Sequence, residues 1–200
     1  GARHAGMLSE ARLVASAGDT PASLRQELLI AALCGLLCMP LILNFAFYRV
    51  LRDRFLLWHA LAVVFMFVQT LVTSGLINRF AAPSLAALCF LSAVSWGGGI
   101  AAAALFSADF MEPGKLNARH RKALRLTAIW IPCWTAFYLL ADGGLRPLAA
   151  PLYFMSFIPV LGTFTWVMVA AKRRGSRAVN FQIFAWLPIM LVGATRILSM

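Results

Sequence analysis

Six apolar runs, at residues 28–48, 56–76, 85–108, 124–141, 148–171 and 179–198, fill almost the whole chain and leave only short polar connections between them. A hydrocarbon core roughly 30 Å thick takes about 20 helical residues to cross, and each run is close to that length. Inside a bilayer the backbone must satisfy its own hydrogen bonds, which leaves helices or closed barrels. The runs are apolar on every face and do not alternate with a period of two, so barrel strands are excluded. The expected fold is an all-α, polytopic membrane helix bundle with six spans. With 62% hydrophobic and 12% charged residues, a soluble fold would need a core larger than a chain of 200 residues encloses. One transmembrane domain, 28–198, follows a tail or linker, 1–27.

The net charge of +11 raises the question of nucleic acid, for which clustered Lys and Arg are the usual footprint. Its distribution argues for a membrane instead. Arg49, Arg52 and Arg54 surround the first connection; Lys115, Arg119, Arg121, Lys122 and Arg125 the third; Lys172, Arg173, Arg174 and Arg177 the fifth. The second and fourth hold only Arg79 and Arg146. Twelve basic residues against two is a positive-inside bias that puts the odd-numbered loops in the cytoplasm and the N-terminus outside. Residues 1–19 lack the apolar stretch of a signal peptide. Thr20-Pro21 reads as an N-cap with proline at the first helical position, so the first helix is expected to start there, ahead of its apolar run. The chain opens with Gly1 and stops at Met200, where the sixth run ends; this reads as a portion of something longer.

Chemistry-bearing residues are sparse in the spans. Cys34, Cys38, Cys89 and Cys133 all fall inside them, which argues against a secreted-type disulfide framework. Cys34 and Cys38 share a helix face, yet no further ligands accompany them, and small packing residues are the simpler reading. His59 lies near an interface and His120 among basic loop residues; one isolated histidine is a weak signal for haem. No metal or cofactor is expected. All seven acidic residues lie in tails, loops or span ends, so the intramembrane charge of an ion-coupled transporter is missing. Asp109 and Glu112, three apart, are the only candidate acid–base pair, with charge balance against the basic loop as the plain alternative.

Helix-distorting residues do recur near mid-depth: Pro40, Pro132, Pro159 and Pro188, with Gly97, Gly98 and Gly99 in the third span. Each proline removes a backbone donor and bends its helix, so a cavity or hinge is one reading and ordinary spanning helices the other. Gln69, Thr70, Thr73 and Ser74 form a polar stripe on the second span, suited to interhelical hydrogen bonds or to lining an outward-facing pocket.

The region from the end of the first span onward carries a resemblance. Asn44, then Arg52-Asp53-Arg54, then Leu57-Trp58 and Gly75 are similar in spacing to the bacterial seven-transmembrane receptors with diverse intracellular signalling modules (7TMR-DISM). Phe106 and Phe110 resemble that family's aromatic end to the third helix, and Gly175-Ser176-Arg177-Ala178 with Ala185-Trp186 its entry into the sixth. The likeness covers about residues 28–198. Leu43 and Leu56 depart from the family's tyrosines, and a seventh helix is missing.

The resemblance implies a sensory or relay module in the bacterial inner membrane, coupling an external signal to a cytoplasmic GGDEF diguanylate cyclase or histidine kinase that this chain does not carry. Asn44, Arg52, Asp53, Arg54, Trp58 and Gly75, with Gly97, Gly98, Gly99, Pro132, Pro159 and Pro188, are the structural or signalling candidates. No catalytic set is expected in the chain itself. Its partners would be the lipid bilayer and an unidentified ligand, with a homodimer left open and nucleic acid excluded. The alternative from another class is a small-molecule transporter or channel whose pathway runs past the prolines, the glycines and the polar stripe.

Overall fold

The computed structural model describes residues 21–184, all of it helix and connecting turns. Helix α1 (Pro21–Leu51) is followed by α2 (Arg54–Thr73), a single turn α3 (Ile77–Phe80), α4 (Leu85–Phe110), α5 (Ala118–Leu140), α6 (Arg146–Met155) and α7 (Phe157–Arg173). A further helix starts at 178 and continues to the last described residue. Five segments among the described residues are long and apolar enough to cross a bilayer: Leu28–Leu51, Arg54–Thr73, Leu85–Phe110, Ala118–Leu140 and Gly143–Arg173. The expectation of six is met by five; the sixth run is helical over 178–184 and otherwise lies outside the described residues, as does Pro188.

Helix α4 is the centre of the bundle, packed by α2 on one side and α5 on the other. Its buried face is made of small residues, Ala93, Gly97, Ala101, Ala104, Ser107 and Ala108 among them. Lipid tails are as apolar as leucine, so spanning helices associate through close packing, and small side chains let the backbones approach. Larger groups from α5, α6 and α7 complete the core, notably Leu124, Ile131, Tyr153, Phe164 and Val167. The apolar side chains left outside, such as Leu36, Met39 and Ile42 on α1, are those a bilayer covers.

Two sequence expectations shift. The glycine triplet does not break α4, which runs unbroken through it. A Cβ on Gly97 would overlap Thr135 Oγ1, and one on Gly98 would stand 2.5–2.8 Å from the Phe65 ring, so α5 and α2 approach α4 closely at these two positions. Of the prolines, Pro40 and Pro132 sit within continuous helices, whereas Pro159 sets a break. Its ring conflicts with the carbonyl four residues back, that of Met155, where α6 ends. The groups exposed at this break are met from within the bundle: Ser156 Oγ donates to Tyr153 O at 2.6 Å, and the Trp130 indole on α5 donates to Ser156 O at 3.1 Å. The fifth crossing is therefore two helices joined at Ser156, its lower half anchored to α4 by Tyr153 OH donating to Ala93 O at 3.3 Å.

The span limits also move. The third connection is only 111–117, because α5 begins at Ala118 with Asn117 as its extended N-cap residue. Arg119, Arg121, Lys122 and Arg125 thus ride on the first two turns of a helix, where long basic side chains reach the interface while their stems stay apolar. His120, expected among loop residues, is buried with its ring 4.4 Å from that of Trp166 on α7.

Candidate functional site

The basic turns gather at one end of the bundle, where the candidates from the first and second spans meet the end of α4. The turn between α1 and α2 is only Arg52 and Asp53. Arg52 adopts a left-handed conformation, φ 54°, and its amide donates to Tyr48 O at 2.9 Å, closing the end of α1. Asp53 is the extended N-cap residue of α2 and makes no side-chain cap bond. Arg54 opens α2.

Four residues on, the Trp58 indole donates to Asp109 Oδ2 at 3.1 Å, and Asp109 Oδ1 lies 3.7 Å from Arg125 Nη2. One carboxylate therefore ties α2, α4 and α5 together. Deeper, Asn44 is buried and its Nδ2 lies 2.7 Å from His59 Nδ1, joining α1 to α2. The His59 ring packs at 5.1 Å on Phe106, which stacks on Phe110 at 4.8 Å, with Phe55 leaning on both. Asn44 was a candidate through the family spacing, but its partner was not: His59 carried only its position near an interface.

Interhelical side-chain hydrogen bonds in membranes are worth about 0.6 kcal/mol on average, with a maximum near 1.7. Asn44→Leu is expected to cost an amount in that range, and His59→Phe a similar one, with the double variant costing less than the two added together. Unfolding of the purified protein in SDS-titrated micelles checks this; full additivity would show that the two side chains do not interact.

Glu112, in the loop after α4, turns away from Asp109, so the two acids do not form a pair. Its carboxylate accepts from the Ser176 hydroxyl, from the Arg177 amide at 3.0 Å and from the Ala178 amide at 3.1 Å. These are the free donors at the start of the helix that begins at 178, and an anion there also meets the positive end of the helix dipole. Ser176 Oγ in turn accepts from Val179 N at 3.3 Å. The Ser176 hydroxyl first, then the Ala178 amide and more weakly that of Arg177, hold the Glu112 carboxyl down at about 2 from an ordinary 4.5, against a partial desolvation that opposes them. Beside this clasp, Lys115 Nζ donates to Arg174 O at 2.8 Å and the Arg174 guanidinium donates to Asn117 Oδ1. Gln182, one turn further into the new helix, donates to buried Ser107 on α4.

At the opposite end, Gly75 has φ +74° and closes α2, a conformation that favours glycine. Gln69 bonds Ser92 and Ser95 of α4, at 3.4 and 3.0 Å, while Thr70 and Thr73 return their hydroxyls to carbonyls of their own helix. Of the polar stripe, Gln69 thus reaches another helix, whereas Thr73 stays exposed. Among the described residues no three His, Cys, Asp or Glu side chains come together as metal ligands.

What the site can do chemically is hold helices in one register through polar links, most of them at the basic end. No curated protein and no solved structure shows significant similarity to the chain. A match to the family described as 7TM diverse intracellular signalling covers residues 26–200, which takes in the described helices except the first five residues of α1. The chain belongs to the 7TM diverse intracellular signalling family, as the multi-pass transmembrane sensory module of a signalling receptor.

Proposed function

We propose that this module is bacterial, sits in the inner membrane with its N-terminus outside and its basic end in the cytoplasm, and passes an external signal to a GGDEF diguanylate cyclase or histidine kinase beyond a seventh crossing. The observation that carries the reading is the clasp of Glu112 on residues 176–178. It fixes the entry of the next helix to the end of the central helix α4, so a displacement of α4 against α2 or α5 is delivered to the segment leading toward the output. A relay of this kind needs two packings close in energy. The polar links at the basic end are few and modest, and exchanging them costs little.

Two measurements test the proposal. Alkaline phosphatase fused after Gly114 is expected to be inactive and after Ala82 active, as the twelve-to-two basic bias requires; the reverse pair would invert the orientation. The product of the whole gene, assayed in membranes for cyclic-dinucleotide synthesis and autophosphorylation, is expected to show one of these activities and to lose its signal dependence when residues 28–198 are deleted. A specific solute flux by the purified chain in vesicles, with neither activity in the whole product, would replace the receptor by a transporter.

A further inference from the structure

We propose that the face of α5 carrying Arg121, Lys122 and Arg125 above Leu126 and Ile129 is a binding site for one anionic phospholipid, its phosphate held by the basic side chains and its upper acyl chain by the apolar ones. These residues, with Ala118, line a single open groove of about 570 Å³. Their spacing of three, four and one places them on one helix face. At 1.5 Å per residue the groove runs roughly 12 Å along the axis from Arg121 to Ile129, about the depth from a headgroup phosphate into the first acyl methylenes.

The order of side chains along that axis is what selects a lipid. Arg121, Lys122 and Arg125 come at the loop end, and Leu126 and Ile129, both well exposed, follow toward the middle of the span. A soluble phosphate compound would use the basic half alone, and an acidic peptide would have no reason to reach the apolar half. The charge in the groove is also available. Asp109 pairs with Arg125 and is shared with Trp58, which offsets one of the three cations and leaves two. Arg121 is half-buried, with its Nε shut away from solvent and without a hydrogen-bond partner among the described residues, so a phosphate in the groove would meet the outer nitrogens of its guanidinium. Elsewhere at this end, Lys115 and Arg174 both donate to protein oxygens.

The test uses the full chain in neutral detergent micelles, with lipid retention measured by native mass spectrometry during titration. Phosphatidylglycerol is expected to bind at least tenfold more tightly than phosphatidylcholine with the same acyl chains. The Arg121→Gln/Lys122→Gln variant is expected to weaken phosphatidylglycerol about thirtyfold, from two basic contributions near an anionic headgroup, and to leave phosphatidylcholine unchanged. Arg121→Lys should retain most of the preference, and Arg146→Gln, at the other end of the bundle, all of it. The preference of the unaltered protein is informative even if the double variant does not fold. Equal retention of the two lipids would overturn the proposal, as would an unchanged preference in a folded double variant. Binding of glycerophosphoglycerol or inorganic phosphate as tightly as the lipid would overturn it in favour of a soluble anion, and displacement of the lipid by hexaglutamate at equal concentration in favour of an acidic protein segment.

Discussion

Gly97→Ala is expected to destabilise the bundle by about 1–3 kcal/mol, the range for forcing a methyl into a packed site, although alanine is by itself the better helix residue by roughly 0.5–1 kcal/mol. The added Cβ would overlap Thr135 Oγ1 and lie 3.3 Å from Ile131 Cγ2. Thr135 is β-branched and its hydroxyl donates to Ile131 O at 2.9 Å, so turning it aside breaks that bond. Gly98→Ala meets the tip of the Phe65 ring, which can tilt, and should cost less. Gly99→Ala finds its nearest neighbour at 3.4 Å and Gly35→Ala finds nothing within 4 Å; there helix propensity wins and stability should hold or rise. SDS-titrated unfolding of the four variants checks the order. The cause is checked by Gly97→Ala/Thr135→Ala, which removes the overlapping hydroxyl and should regain most of the loss, since contacting residues couple by about 0.5–3 kcal/mol. A Gly97→Ala protein as stable as Gly99→Ala would mean that α4 and α5 are not in this close contact.

That gradation inside one glycine triplet marks the boundary of what the sequence conveys. Spanning helices were legible because twenty apolar residues in a row leave the backbone no other solution, and Arg52-Asp53 and Gly75 stood out through the spacing they share with the family. Which glycine faces a neighbour depends on the rotation of α4, and a helix apolar all round carries no amphipathic signal to set it. Pro159 was legible as a disturbance; that it splits a crossing while Pro132 does not depends on donors such as the Trp130 indole, which come from another helix. His59 and Glu112 show the same limit from the polar side. Each was visible as a residue, but their partners lie 15 and about 65 positions away, and only the packing of helices brings them together. Ser176 ahead of an apolar run is a readable N-cap; the carboxylate that completes the cap from a distant loop is not.

The Glu112 clasp makes the second large expected effect, because removing one side chain releases three donors. In Glu112→Ala, hydrogen exchange at the Arg177 and Ala178 amides is expected to rise by about tenfold or more, in line with the loss of an N-terminal cap, while exchange in the middle of α4 stays as it was. The pH dependence has a definite sign. The folded-state value, about 2, lies below the ordinary 4.5, so the carboxylate's contribution is complete above about 4.5 and is lost as the pH falls toward and through 2. Protection of these amides in the unaltered protein should therefore persist at pH 4 and fade near pH 2, whereas in Glu112→Ala that step is missing. Glu112→Gln keeps an acceptor but not the charge, and should fall between the two with no step. Direct titration of the Glu112 carboxyl by carbon NMR decides whether the clasp forms: a midpoint near 4.5 in the folded protein would mean that it does not. If it does form, the release of residues 176–178 in Glu112→Ala frees the entry of the following helix from the end of α4 and leaves the Gln182–Ser107 bond as the remaining polar link between them. The whole receptor should then keep its basal output and lose its response to signal, whereas a purely local cap would leave that response intact.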